Sequence, residues 1–175
     1  MADEKKKRRG RRAYLEDFHQ NVAGEYIYTG QTHAWKAPRR KTLRMLWLCA
    51  IAAIGAAVPA GCVPNTGMER RVWALIPYVL MLISSGVQGW LLYKLTDGGD
   101  PVRDYVWKAS VPRLPAAGIV TGILALASIV TEIANIFAPN FAGTLPFALG
   151  LIGLDVLAGA TSVALSRTVK GLEWA

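Results

Sequence analysis

The fold turns on residues 114–166, which read LPAAGIVTGILALASIVTEIANIFAPNFAGTLPFALGLIGLDVLAGATSVALS. Only two charges, Glu132 and Asp155, interrupt these 53 residues. A bilayer hydrocarbon core of about 30 Å is crossed by about 20 helical residues, each rising about 1.5 Å. The run is therefore too long for one crossing and the right length for two. Its natural break is Pro139-Asn140-Phe141-Ala142-Gly143-Thr144, because Pro, Asn and Gly favour turns over helix. The expected products are helices over 114–138 and 145–166, joined as a tight hairpin. The run is continuous and rich in Ala, Leu and Gly, unlike the alternating short strands of an outer-membrane barrel.

Upstream, residues 45–63 and 72–93 are uncharged runs of similar length. The whole chain of 175 residues is 53% hydrophobic and 18% charged, against about 25% charged in an ordinary soluble domain. Its charge is also segregated. Residues 1–44 hold twelve of the twenty Lys and Arg and five of the twelve Asp and Glu, so they carry +7 of the +8 net charge. This distribution excludes a soluble globular enzyme, a disordered polymer and a secreted disulfide scaffold. The expected fold is all-α: an antiparallel four-helix transmembrane bundle. A basic tail (1–44) precedes the four-span domain (45–166), and a short tail (167–175) follows it.

Orientation follows from the basic residues beside the spans. With four spans, the N-terminal tail, the loop after the second span and the C-terminal tail share one side. They hold eighteen Lys and Arg, whereas the first loop holds two, Arg70 and Arg71. Both termini are thus expected in the cytoplasm, and a bacterial plasma membrane is the expected location. Trp47, Trp90 and Tyr93 fall near inner span ends and Trp73 near an outer one, as interfacial aromatics do. A cleaved signal peptide is disfavoured by its 44-residue basic leader. Ala60-Gly61-Cys62 resembles a lipoprotein cleavage site but has Pro59 where an aliphatic residue is usual.

The tail has three parts. Lys5, Lys6, Lys7, Arg8, Arg9, Arg11 and Arg12 form a self-repelling run expected to be disordered. Beside a membrane, each such residue gains about 1 kcal/mol from anionic lipid, so anionic lipid is the expected contact. Specific nucleic-acid binding is not expected, since base reading needs a positioned element. Tyr14, Leu15, Phe18 and Val22 recur at helical spacing and suggest a short interfacial helix. Residues 25–30, with Tyr26 and Tyr28, read as an extended segment closed by Gly30 and as a partner-docking epitope. In the second loop, Asp100 is expected to cap a short helix starting at Pro101.

No phosphate-binding glycine loop, His-Glu-x-x-His or nucleophile elbow occurs, so neither enzymatic activity nor a cofactor is expected. His19 and His33 have no cysteine near them, and no metal site is expected. Cys49 and Cys62 would stand about 20 Å apart along one helix, too far for a disulfide.

The informative residues are the two intramembrane acids. Carboxylates in a span normally face a bundle interior. Gly118, Thr121, Ala125, Ser128 and Asn135 share a face with Glu132, and Ala148, Ala158, Gly159, Ser162 and Ser166 share one with Asp155. Counted from the hairpin, Glu132 lies about 10 Å deep and Asp155 about 15 Å. One polar pocket is expected, formed by Glu132, Asp155, Asn135, Ser128 and Ser162, with Gln88 and Ser85 from the second span. Two functions are compatible with it. The first is an accessory or scaffold subunit that docks a partner through the tail and polar transmembrane faces. The second is an oligomeric proton- or cation-linked transporter or channel using Glu132 and Asp155. The expected partners are the bilayer and either a second copy or another membrane subunit.

Overall fold

The computed structural model describes residues 18–20 and 25–175. Four long helices dominate it: α1 (Arg39–Ala60), α2 (Val72–Asp97), α4 (Arg113–Ile136) and α5 (Leu145–Lys170). A seven-residue helix, α3 (Asp104–Ser110), leads into α4. All four long helices are long and apolar enough to cross a membrane. In the ring they form, α1 packs on α2 and α5, and α4 packs on α2 and α5.

Over parts of α1 and α4, small residues face inward and large apolar ones outward, although Leu46, Met81, Leu92, Leu95 and Leu151 also fill the core. α1 buries Ala50, Ala53, Ala56, Ala57 and Ala60 while exposing Leu48, Ile51 and Val58. α4 buries Gly118, Thr121, Ala125 and Ser128 while exposing Ile123, Leu126 and Val130. Small residues let helix backbones approach closely, which is the main source of association where lipid already solvates large apolar side chains. In water, such a continuous apolar exterior would drive aggregation.

The hairpin break falls where Pro139, Asn140 and Gly143 place it. Asn140 adopts a left-handed φ of 58°, which Asn tolerates better than most residues. α5 then starts with Pro at its first turn, where the missing N–H is harmless. α1 begins six residues before the expected 45, because the basic cluster Arg39, Arg40, Lys41 and Arg44 is itself helical. α2 runs one turn beyond the expected 93, and Trp47 is tied to that turn, donating from Nε1 to Thr96 Oγ1 at 3.0 Å.

Two expectations for the basic end need correction. Phe18–Gln20 is a strand, β1, paired antiparallel with β2 (Tyr26–Tyr28), so Phe18 is not part of an interfacial helix. The Phe18 ring meets Tyr28 edge-on at 5.3 Å, a cross-strand aromatic contact that outweighs the local helical spacing. Tyr14, Leu15 and Val22 lie outside the described residues. The second correction concerns Asp100. The short helix starts at Asp104, not Pro101, because β4 (Val102–Arg103) pairs with β3 (Thr32–His33). The Asp104 amide then donates to Gln31 O at 3.0 Å.

These strands pin the tail, the second loop and the C-terminus together at one end of the bundle. Ala34 and Ala175 exchange backbone hydrogen bonds at 3.0 Å, and the Trp35 ring lies 4.4 Å from that of Trp174. His33 stacks on Trp107 at 4.5 Å and meets Asp104 Oδ1 at 3.1 Å. Lys108 holds the other carboxylate oxygen at 2.6 Å. Lys108, with help from His33, keeps the Asp104 carboxyl below the usual aspartate range, against a smaller opposing effect of burial.

Candidate functional site: two buried polar layers

The interior holds polar side chains at two depths, not in one pocket. The layer nearer the basic end is built from α2, α4 and α5. Gln88 Nε2 donates to Thr121 Oγ1 and, at 3.2 Å, to Ser162 Oγ. Ser84 and Thr121 share a hydroxyl hydrogen bond at 2.7 Å, and Thr121 also donates to Ala117 O at 3.0 Å. One turn further on, Ser166 donates to Pro115 O at 2.8 Å. Thus Gln88 and Ser162, expected beside the acids, belong to a separate neutral network. Ser162 is seven residues along α5 from Asp155, about 10 Å away. Ser85 is buried, but its hydroxyl turns back to Leu82 O at 2.7 Å. Its neighbour Ser84 makes the cross-helix bond instead.

The second layer contains Glu132, Asn135, Ser128 and Asp155, each at most 1% exposed. Asn135 Nδ2 lies 3.4 Å from Glu132 Oε2 and 3.5 Å from Oε1, the long, shared geometry of a weak donor contact. Asp155 is fully enclosed, and neither its carboxylate oxygens nor Ser128 Oγ and Asn135 Oδ1 meet a partner at full hydrogen-bonding geometry, although the Ser128 hydroxyl is a donor aimed at Asp155. Ser128 faces Asp155, and Glu132 and Asp155 lie within electrostatic range of each other. Tyr78 is also in range of Asp155, but its hydroxyl is committed to Ala57 O at 2.8 Å.

This layer is enclosed by apolar side chains and, at the hairpin end, by loops. Around it, Met81, Ala125, Leu151 and Ala158 pack into one apolar cluster with Tyr78. At the hairpin end, the loops after α1 and α4 fold over it. Asn135 Nδ2 contacts Thr66 O at 3.5 Å, the Thr144 amide donates to Asn65 O at 2.6 Å, and Arg71 Nη2 donates to Pro139 O at 2.8 Å. Gly143 permits this closure, since a side chain there would collide with the Thr66 carbonyl. Thr66 was not legible as a site residue, because it reaches the pocket through its backbone oxygen. The only local signal was the turn chemistry of Asn65-Thr66-Gly67, with Gly67 at a φ of 83°.

Unpartnered buried groups are rare, and each needs a physical reason. An ionised carboxylate buried with few donors costs several kcal/mol, and Asp155 has the Ser128 hydroxyl as its facing donor. Glu132 and Asp155 are a pair of oxygen donors. Among the described residues, no three His, Cys, Asp or Glu side chains converge.

Of the expected docking residues, Lys5, Lys6, Lys7, Arg8, Arg9, Arg11 and Arg12 lie outside the described residues. Tyr26 is 72% exposed. Tyr28 is engaged within the molecule, donating to Gln31 O at 3.0 Å and packing near Tyr105. An apolar groove of about 830 Å³ runs along the outer surface between α4 and α5, bounded by Ile123, Leu126, Val156 and Val163, with Arg167 at one end. Asp155 is among the residues that line it, although its carboxylate oxygens are buried.

The chain matches no protein-family model, no curated protein and no solved structure.

Proposed function

We propose that this chain is an integral membrane protein with both termini in the cytoplasm. In this reading Glu132 and Asp155 hold an exchangeable proton or small cation, as part of an oligomeric transporter or channel in a plasma membrane. The topology rests on sequence: eighteen Lys and Arg in the N-terminal tail, the loop after the second span and the C-terminal tail, against two in the first loop. The observation that carries the function is Asp155: fully enclosed, beside a second buried acid, Glu132, and with Ser128 as the one facing hydroxyl. Such a group is stabilised when it binds a proton or cation, and Ser128, Glu132 and Asn135 supply further oxygens around it. The acids lie under the loops after α1 and α4 and within an apolar cluster, an arrangement suited to an occluded site. Reconstitution into liposomes tests it. Wild-type protein should support proton or alkali-cation flux, and Asp155→Asn should lower it by at least about tenfold, a barrier change of about 1.4 kcal/mol. No flux in wild type, or equal flux in the variant, would refute this reading.

Two observations favour the accessory-subunit reading as a second. The groove between α4 and α5 is apolar and bounded by small residues such as Ala160 and Gly159, a surface suited to another transmembrane helix. The β1–β2 hairpin also presents Tyr26 and Ile27 outward. Substituting Ala160→Trp and Tyr26→Ala should then remove a stoichiometric partner at co-purification while leaving the purified fold unchanged.

A further inference from the structure

We propose that a cavity at the basic end of the bundle binds a zwitterionic headgroup, a primary ammonium joined to a phosphate diester, as in a phosphoethanolamine lipid. The cavity measures about 540 Å³ and lies between the end of α2, the loop that follows it and the tail strands. Four charged side chains line it, Lys94, Arg103, Asp97 and Asp100, two of each sign. Among the described residues the ion pairs are His33–Asp104, Lys108–Asp104 and Lys36–Glu173, and none uses these four.

The two cations are positioned without being neutralised. Lys94 Nζ sits 5.3 Å from the centre of the Trp90 ring. The Arg103 guanidinium lies 5.9 Å over Phe18 and 5.8 Å over Tyr28, and its Nη1 donates to Tyr105 Oη at 3.4 Å. Cation–π contacts orient a charge but leave its N–H donors available for an anion. The backbone around them is fixed. Lys94 and Asp97 are on α2, Arg103 is in the paired strand β4, and Gly98 packs so closely on Val106 that a Cβ would come within 2.8 Å of it.

A simple anion would meet Lys94 and Arg103 but face two carboxylates. A simple cation would meet the reverse. A ligand with both charges satisfies both pairs, and electrostatic complementarity of this kind gives specificity. Carboxylates accept N–H bonds, so an ammonium with three donors suits Asp97 and Asp100 better than a quaternary amine with none. Trp90 and Tyr93, exposed and stacked at 6.0 Å, sit beside the cavity and mark the depth of the headgroup layer. The inference rests on the membrane reading of the helices and not on the acid layer.

Full-length protein purified in detergent with equal amounts of phosphatidylethanolamine, phosphatidylglycerol and phosphatidylcholine of one acyl composition tests it by native mass spectrometry. The expected result is about tenfold preferential retention of phosphatidylethanolamine. Asp97→Asn with Asp100→Asn should abolish that preference, and Lys94→Gln should lower retention of all three. These side chains are exposed, so the variants should keep the wild-type circular dichroism. Displacement by soluble phosphoethanolamine assigns the site to the free headgroup and resistance assigns it to the lipid; either result supports the shared chemistry. Equal retention of the three lipids, preference for phosphatidylglycerol, or an ethanolamine preference untouched by the paired Asp substitutions would overturn it.

Discussion

The two buried polar layers share α4 and α5 but differ in chemistry, one neutral and the other acidic. Around Gln88, the hydroxyls of Thr121, Ser162 and Ser84 form a bonded network linking three helices. Around Asp155, four oxygens lack partners at full hydrogen-bonding geometry, and the donor nearest Glu132 is stretched to 3.4 Å. A neutral amide can bond hydroxyls on facing helices through its N–H donors, as Gln88 does, although its Oε1 is left without a partner. A pair of acids cannot, because both are acceptors when ionised. The first layer is bridged across the helices by its own donors, while the second holds more acceptors than donors.

Substitutions should separate the two layers. The largest effect is expected at Gly118, where a methyl would stand 2.6 Å from Ser162 O and 2.9 Å from Ser166 Cβ. Gly118→Ala should push α5 from α4 at the Gln88 layer and cost about 1–3 kcal/mol, read by thermal or chemical unfolding in detergent. Gln88→Leu should come next, at about 1–2 kcal/mol, through the loss of two interhelical bonds. Asp155→Asn should leave stability unchanged or raise it, because it removes a buried acid with few donors at constant volume. If Asp155→Asn instead cost as much as Gln88→Leu, the acid layer would be structural glue and the contrast would fail.

Smaller effects belong to the ends of the acid layer and of the bundle. Tyr78→Phe removes the bond to Ala57 O and should cost about 1 kcal/mol in the same unfolding assay. The smallest is set by pH at the Asp104 clasp. The Asp104 carboxyl is held below the usual range by Lys108 and His33. Its contribution is therefore complete above the ordinary aspartate value of about 3.9 and fades as pH falls through the lower folded value. Trp107 stacks on the clasp, so its fluorescence should change in that acidic window, and Asp104→Asn should remove the transition.

Much of the fold was legible because run length and charge dictate it. Four apolar stretches with a Pro-Asn-Gly break leave little freedom in the number of long helices. The buried face of α4 was legible for the same reason, since Gly118, Thr121, Ala125 and Ser128 recur at helical spacing. The division into two layers was not. A helical face records which way a side chain points, but the depth at which facing helices bring Gln88 and Ser162 together depends on their axial offset. Adjacent residues such as Ser84 and Ser85 differ only in which one meets a neighbour, which helix rotation decides. The strands were hidden for another reason. Phe18 pairs with Tyr28, Val102 with His33, and Trp35 with Trp174. Those contacts join residues separated by ten to well over a hundred positions, and local periodicity does not register them.

Infrared spectroscopy of the protein in lipid, with isotope-labelled aspartate and with Asp155→Asn as the reference, tests the acid layer most directly. If Asp155 holds a proton, a protonated carboxyl band assignable to it should be present at neutral pH. If it holds a cation instead, its carboxylate band should shift when an alkali cation is added. An ionised Asp155 whose band is indifferent to every cation offered would contradict both.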